Sequence, residues 1–265
     1  KLYYGEWERE GMKFEKKNLM ESGLIVPAVL LLLWWAGSNA GWWNAFLLPS
    51  PEKVVDSFVL SIHNGELQKH VWASLDRIIK GFGLSAAMAL LLALVCSWFP
   101  PLLVQLEPTL EFFRHIPPMS VIPMLILWFG IGEAPKIILI ILATFFPVFM
   151  NALQGIRDCD PKLVEVATVF GYKKWHQFRY VILPSAIPSI LTGLRLGLGY
   201  SWRSLVAAEL VAASSGLGYM ILDAEQLSRS DVVLMGILVI GALGAFLDYG
   251  FLWAIRRYLK RGVEA

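Results

Sequence analysis

Residues 81–99 and 137–156 each run without a single Asp, Glu, Lys or Arg, and so do residues 22–43 and 116–132. A hydrocarbon core of about 30 Å takes roughly 20 apolar residues of helix, so runs of this length are membrane-span signals. Two further stretches, residues 185–208 and 232–255, are as apolar but carry isolated charges. Six spans are therefore predicted, and the fold class is an all-α polytopic membrane protein. A soluble chain would break its apolar runs with polar residues every turn or two. Here only 17% of the 265 residues are charged, against about 25% in soluble domains.

Basic residues set the expected orientation. Lys1, Arg9, Lys13, Lys16 and Lys17 precede the first span; Arg157, Lys162, Lys173, Lys174 and Arg179 lie between the fourth and fifth; Arg256, Arg257, Lys260 and Arg261 follow the sixth. With six spans all three groups face one side, and an excess of Lys and Arg marks that side as cytoplasmic. Both termini are then cytoplasmic, with residues 1–21 a mixed-charge lead-in and residues 22–265 the transmembrane domain. Nothing near Lys1 resembles a signal peptide, and a start other than Met leaves room for preceding residues. Pro117, Pro118, Pro123, Pro147 and Pro188 break the apolar runs, which lipid tolerates only where neighbouring helices or a wet cavity satisfy the freed backbone. Gly193 and Gly197 make a G-x-x-x-G pair suited to close helix approach.

The connection at residues 157–184 is too long for a turn between spans. Asp160 before Pro161 is a helix start, a carboxylate N-cap with proline at the first helical position. Leu163, Val166, Ala167 and Phe170 recur at i, i+3, i+4 and i+7, and Gly171 supplies the stop. A short amphipathic helix is expected, with a second through residues 174–180 before Leu183 and Pro184 re-enter the membrane. Such a helix suits either a partner's groove or the lipid headgroups.

Glu165, Val166, Ala167, then Gly171 after three intervening residues, then Val181, Leu183 and Pro184 after nine more, resemble the EAA loop of ATP-binding cassette (ABC) importer permeases. Val166 in place of the first alanine adds bulk without polarity. Residues 73–82 (ASLDRIIKGF), 114–123 (RHIPPMSVIP), 127–132 (LWFGIG), 193–198 (GLRLGL), 206–210 (VAAEL) and 215–219 (SGLGY) are similar to permeases for taurine and alkanesulfonates. The resemblance covers most of the chain from about residue 49. It implies a type I ABC importer permease fold in the inner membrane, and a homodimer enclosing a central path. Two ATPase subunits would dock on the loop through Leu163, Glu165, Val166, Ala167, Phe170, Gly171, Leu183 and Pro184. A periplasmic or lipid-anchored solute-binding protein would dock on the opposite face. ATP and Mg would belong to the ATPase, with no cofactor in this chain. Among relatives of this kind are permeases for nitrate, bicarbonate, aromatic sulfonates and pyrimidine vitamin precursors, so the solute stays open, with taurine or another sulfonate first.

Charges inside the spans need partners or water, because each costs roughly 2.5–3.5 kcal/mol at the centre of an inserted helix. Arg114, Arg195, Arg203, Glu209 and Asp248 qualify. Arg114, Arg195 and Arg203 could line the path and offer an anion planar guanidinium forks; Trp202 and Glu209 are further path candidates. The structural alternative pairs an arginine with Glu209 or lets it snorkel. His115 reads as a packing residue, Trp34, Trp35, Trp42, Trp43 and Trp128 as interface markers, and Asp223 and Glu225 as loop acids within reach of a binding protein.

A net charge of +2 with no basic arm argues against nucleic acid. Cys96 and Cys159 have neither disulfide framework nor metal-ligand spacing, and no metal site is expected. The phosphate-cradling G-x-x-x-x-G-K-[ST] pattern and the common hydrolase motifs do not occur, so an external ATPase is required. The rival is a secondary transporter, which shares intramembrane charges and broken helices but gives the EAA spacing no task.

Overall fold

The computed structural model describes residues 16–263, and among them every element is helical. The lead-in expected at residues 1–21 lies outside the described residues as far as residue 15. Two units are formed, one through Ser57 and one from Phe58 onward.

In the first unit, α1 (Lys16–Asn39) contains Pro27. Beyond it the chain folds back: Trp34 Nε1 donates to the Pro49 carbonyl at 3.0 Å, and Trp35 Nε1 donates to Glu52 Oε1 at 2.7 Å. These bonds give two indole N–H groups their acceptors in an otherwise apolar helix. Helix α2 (Pro51–His63), whose first half belongs to this unit, opens on a proline, where the missing N–H costs nothing.

In the second unit α3 (Glu66–Trp98) has 33 residues, about 50 Å at 1.5 Å per residue. It starts fifteen residues before the uncharged run at residue 81. The buried stripe explains the difference, because Leu67, His70, Ser74, Arg77, Ile78 and Gly81 continue the same face as Ser85, Ala89, Ala93 and Cys96. A search for uncharged residues stops at the charges, whereas the helix does not. The other face of α3 is apolar and exposed, with Ile79, Leu84, Met88, Leu91 and Val95. Small and polar side chains inside with large apolar ones outside is the reverse of a soluble helix, and it suits lipid.

The third predicted span is a broken pair. Helix α4 (Pro100–Arg114) and the segment Pro118–Phe129 meet at 83°; the latter comprises a 3-10 turn (Pro118–Val121) and α5 (Ile122–Phe129). Pro117 and Pro118 lack the N–H groups a continuing helix would use. Helix α6 (Glu133–Arg157) is the axis of the unit, flanked along its length by α3 and α9. Leu139, Ile140, Thr144, Val148, Phe149 and Ala152 are all buried on it. Helix α7 (Pro161–Val169), the single turn α8 (Lys174–Gln177) and a π turn (Phe178–Ile182) lead into α9 (Leu183–Ala212). A Cβ at Gly193 would stand 2.6 Å from Asn151 Cβ, and one at Gly197 would stand 2.8 Å from Val148 Cγ2. The glycine pair thus sets the distance between α9 and α6. Helices α10 (Leu217–Gln226) and α11 (Ser230–Val263) complete the unit.

Among the described residues four helices, α3, α6, α9 with its preceding turns, and α11, are long and apolar enough to cross a membrane, and the bent α4–α5 pair makes five. Helix α1 adds a shorter apolar stretch at Ile25–Asn39.

Candidate functional site

Three places bring chemistry-bearing side chains together. The first is an ionic cluster where α3, α6, α9 and the start of α10 meet. Arg77, 3% exposed, grips Glu133 side-on: Nε donates to Oε2 at 2.6 Å and Nη2 to Oε1 at 2.8 Å. Its Nη1 donates to Glu209 Oε1 and to the Ser215 carbonyl, both at 2.7 Å, and Nη2 also donates to Ser215 Oγ at 2.9 Å. Lys136, buried on the next turn of α6, donates to Glu133 Oε1 at 2.7 Å. Two cations and two carboxylates cancel, so the buried charges of Arg77, Lys136 and Glu209 are compensated, with Glu133 56% exposed at the edge of the cluster.

Glu209, 0% exposed, also works as a helix cap. Its Oε2 accepts the Gly218 N–H at 3.0 Å, while Ser74 Oγ lies 2.8 and 2.9 Å from its two oxygens and accepts the Leu217 N–H at 3.0 Å. The Gly216 N–H donates to His70 Nδ1 at 3.0 Å. The first N–H groups of α10 have no partners within their own helix, and a carboxylate there meets the positive end of the helix dipole. Gly216 has φ +119, and a Cβ on it would fall on the Glu209 carboxyl; only glycine fits.

The second place is a cavity of about 540 Å³ between α9 and α11. Arg195 pairs with Asp248 through Nε to Oδ1 at 2.8 Å and Nη2 to Oδ2 at 2.6 Å. Arg203 stands 5.4 Å over the Tyr200 ring. Thr192 and the aliphatic side chains of Leu191, Leu252 and Ile255 complete the wall. This pair is open, at 38% and 42% side-chain exposure. An open pair of this kind is worth about 0–1 kcal/mol, whereas removing one partner of a buried pair costs about 3–5 kcal/mol.

The third is the connection at residues 158–182. Asp160 caps α7 by accepting the Lys162 N–H at 2.9 Å, and Gly171 ends the segment at φ +77. Ala167 is buried beneath the helix. Leu163, Val166, Val169 and Phe170 are exposed, Phe170 at 77%; Glu165 is exposed beside them. Gln177 Nε2 ties α8 to α7 by donating to Thr168 Oγ1 at 2.9 Å and to the Tyr172 carbonyl at 2.8 Å. Trp98, at the end of α3, lies against Phe178 and Trp175 with ring centroids 5.5 and 6.1 Å away. Leu183 and Pro184 open α9 directly after the π turn.

The five path candidates thus fall in different settings. Arg195 and Arg203 share the cavity, Glu209 sits in the ionic cluster, and Trp202 is buried where a Cβ on Gly244 of α11 would touch its Nε1. Arg114 is exposed and pairs with Glu111 one turn back at 2.6 Å. Arg77, Glu133 and Lys136 were not among the sequence candidates. The signal for Arg77 was its place on the Leu67, His70, Ser74 stripe rather than in any uncharged run.

A helical bundle arranged around α6, with a helical connection between two of its long helices, is an arrangement shared with solved ABC transporters. The solved structure of an amino acid ABC transporter with histidines matches over 72% of this chain and 92% of that one, with a TM-score of 0.59 at 18% identity. The chain belongs to the family of binding-protein-dependent transport system inner membrane components, whose pattern spans residues 85–260. It is therefore a multi-pass membrane protein and a transport component. It is 42% identical to SsuC of Bacillus subtilis, a permease named for aliphatic sulfonates transport, over 90% of this chain and 86% of that protein. It is 38% identical to the taurine transport system permease protein TauC of Escherichia coli, over 88% and 86% respectively. The expected kinship with taurine and alkanesulfonate permeases is met.

Proposed function

We propose that this chain forms, as a homodimer, the translocation path of an ATP-driven importer for a small organic anion, with taurine or another sulfonate first among solutes. On this reading the chain crosses the membrane six times, through α1, α3, the α4–α5 pair, α6, α9 and α11. Both termini and the 158–182 connection then face the cytoplasm, and α10 faces outward, toward a solute-binding protein. Two ABC ATPase subunits, which bind ATP and Mg, dock on α7.

The observation that carries this reading is the exposed apolar face of α7. Leu163, Val166 and Phe170 are exposed on a segment tied by Asp160, Gly171 and Gln177, in the helix-in-groove pattern. The Trp98–Trp175–Phe178 cluster gives a push on α7 and α8 a route to α3. ATPase closure would move these short helices and open the path outward, and hydrolysis would reset it.

The test is ATPase activity of the permease co-purified with its ATPase in nanodiscs, with and without binding protein loaded with taurine. Gly171→Pro forces a φ of about −65° where the chain has +77°, and Glu165→Arg reverses the charge at that position on the exposed face. Stimulation in wild type that both assembled variants lose supports the reading. Solute uptake by the permease alone, unaffected by either variant, would replace it with a secondary transporter; stimulation by nitrate or bicarbonate but not taurine would replace the solute.

A further inference from the structure

The α9–α11 cavity differs from the ionic cluster in two respects that bear on solute. In the cluster the charges cancel, and Arg77 and Glu209 are sealed. In the cavity two guanidinium groups face one carboxylate, and the Arg195–Asp248 pair is open. Arg195 lies twelve residues into α9 and seventeen from its end, about 18 and 26 Å along the axis. Inside a span a guanidinium needs a counter-charge or water, and the cavity into which Arg195 opens has room for water or a polar guest. Arg203 has the Tyr200 ring but no carboxylate among the described residues.

We propose that this cavity is a binding site for an organic oxyanion inside the membrane domain, with Asp248 as a built-in stand-in that holds Arg195 until the solute arrives. The proposal rests on the uptake reading above and names the residues that hold its solute. Arg203 receives the anion first, because its guanidinium carries an uncancelled charge. Arg195 spends Nε and Nη2 on Asp248, which leaves Nη1 free of any hydrogen bond to the described residues. A sulfonate or similar group presents oxygens with the same fork-matching geometry as a carboxylate, so it competes for Arg195 without needing a new pocket. The aliphatic side chains of Leu191, Leu252 and Ile255 on the same wall favour an anion with a short hydrocarbon tail over a bare inorganic one. Departure is equally provided for: Asp248 recaptures Arg195, and the site holds its guest only transiently, as conduction through a path requires.

The test is equilibrium dialysis of radiolabelled ethanesulfonate against the assembled permease–ATPase complex without binding protein, alongside uptake by the same complex with binding protein. Saturable binding is expected. Arg203→Gln should weaken it by about tenfold or more, the loss of one charge-assisted hydrogen bond, and Arg203→Lys should recover part. Asp248→Asn should tighten binding several-fold by releasing Arg195. Unlabelled ethanesulfonamide, neutral and of similar shape, should not compete. Wild-type uptake with no arginine-dependent binding overturns the cavity and leaves the import reading standing. Arginine-dependent ethanesulfonate binding by a complex that imports only another solute upholds the cavity and overturns the sulfonate assignment. Should Arg203→Gln fail to assemble, Asp248→Asn decides: tighter binding supports the stand-in, and unchanged affinity overturns it.

Discussion

Ser74 and Glu209, 135 positions apart in the chain, share a hydrogen bond that ties α3 to the end of α9, and the same serine oxygen receives the first N–H of α10. One hydroxyl therefore serves three helices. Arg77, one turn along α3, binds the same carboxylate and adds α6 through Glu133.

Arg77→Met should be among the most damaging single changes in the chain. It leaves the Glu209 carboxylate buried without its cation, at a cost of about 3–5 kcal/mol. The apparent Tm in detergent should drop sharply, and adding Glu209→Gln should restore part of it. A single variant as stable as wild type would show that the cluster does not hold these helices together.

Gly216→Ala should release the start of α10. The residue has φ +119 and its Cβ would collide with Glu209, so both strain and a displaced cap are expected, about 1–3 kcal/mol for the backbone alone. Hydrogen exchange at the Leu217 and Gly218 amides should quicken. Gly241→Ala, where a Cβ meets nothing within 4 Å, is the control and should change neither. Equal behaviour of the two variants would mean that the N-terminus of α10 is held by something else.

Gly197→Leu should push α9 away from α6. Its Cβ alone would stand 2.8 Å from Val148 and 3.1 Å from Thr144, and overpacking of this kind costs about 1–3 kcal/mol. A cysteine pair placed across the α6–α9 contact should crosslink in wild type and fail to do so in the variant. Crosslinking at the wild-type rate would show that the helices accommodate the added bulk without separating.

Trp98→Ala should uncouple the proposed docking loop from α3 by removing the ring that touches both Trp175 and Phe178. Stimulation of ATPase activity by loaded binding protein should fall several-fold, while the ATPase subunits still co-purify. Trp175→Ala should behave alike, and the double variant should add little, because residues in one contact are not independent. Additive losses would place the two rings on separate routes.

Much of this architecture could be read before any coordinates. The uncharged runs marked α6 and the lower part of α3, and Asp160, Pro161 and Gly171 marked the ends of the loop helix from rules that act within a few residues. The Gly193–Gly197 pair announced a close approach, though not which helix would fill it. Arg77, Glu133 and Lys136 escaped notice for one physical reason. A charge in a membrane helix is acceptable when its counter-charge is supplied. Although Lys136 and Glu133 are only three residues apart, what joins them into a cluster is Arg77 from another helix, whose partner on α9 is 132 positions away. Chain-local patterns cannot register such a bargain. The bend between α4 and α5 was missed in a similar way, since its prolines marked a break but carry no information on the 83° angle.

The charge balance of Arg77, Lys136, Glu133 and Glu209 also constrains descent. A lineage that loses Arg77, Glu133 or Glu209 passes through a protein with an uncompensated buried charge, and one that loses Lys136 leaves an excess carboxylate at the exposed edge of the cluster, so stepwise drift at these positions is disfavoured. They should be inherited as a block or exchanged together for an uncharged set. An alignment of relatives would then show the four positions changing in concert, while the exposed apolar stripe of α3 exchanges one aliphatic residue for another freely.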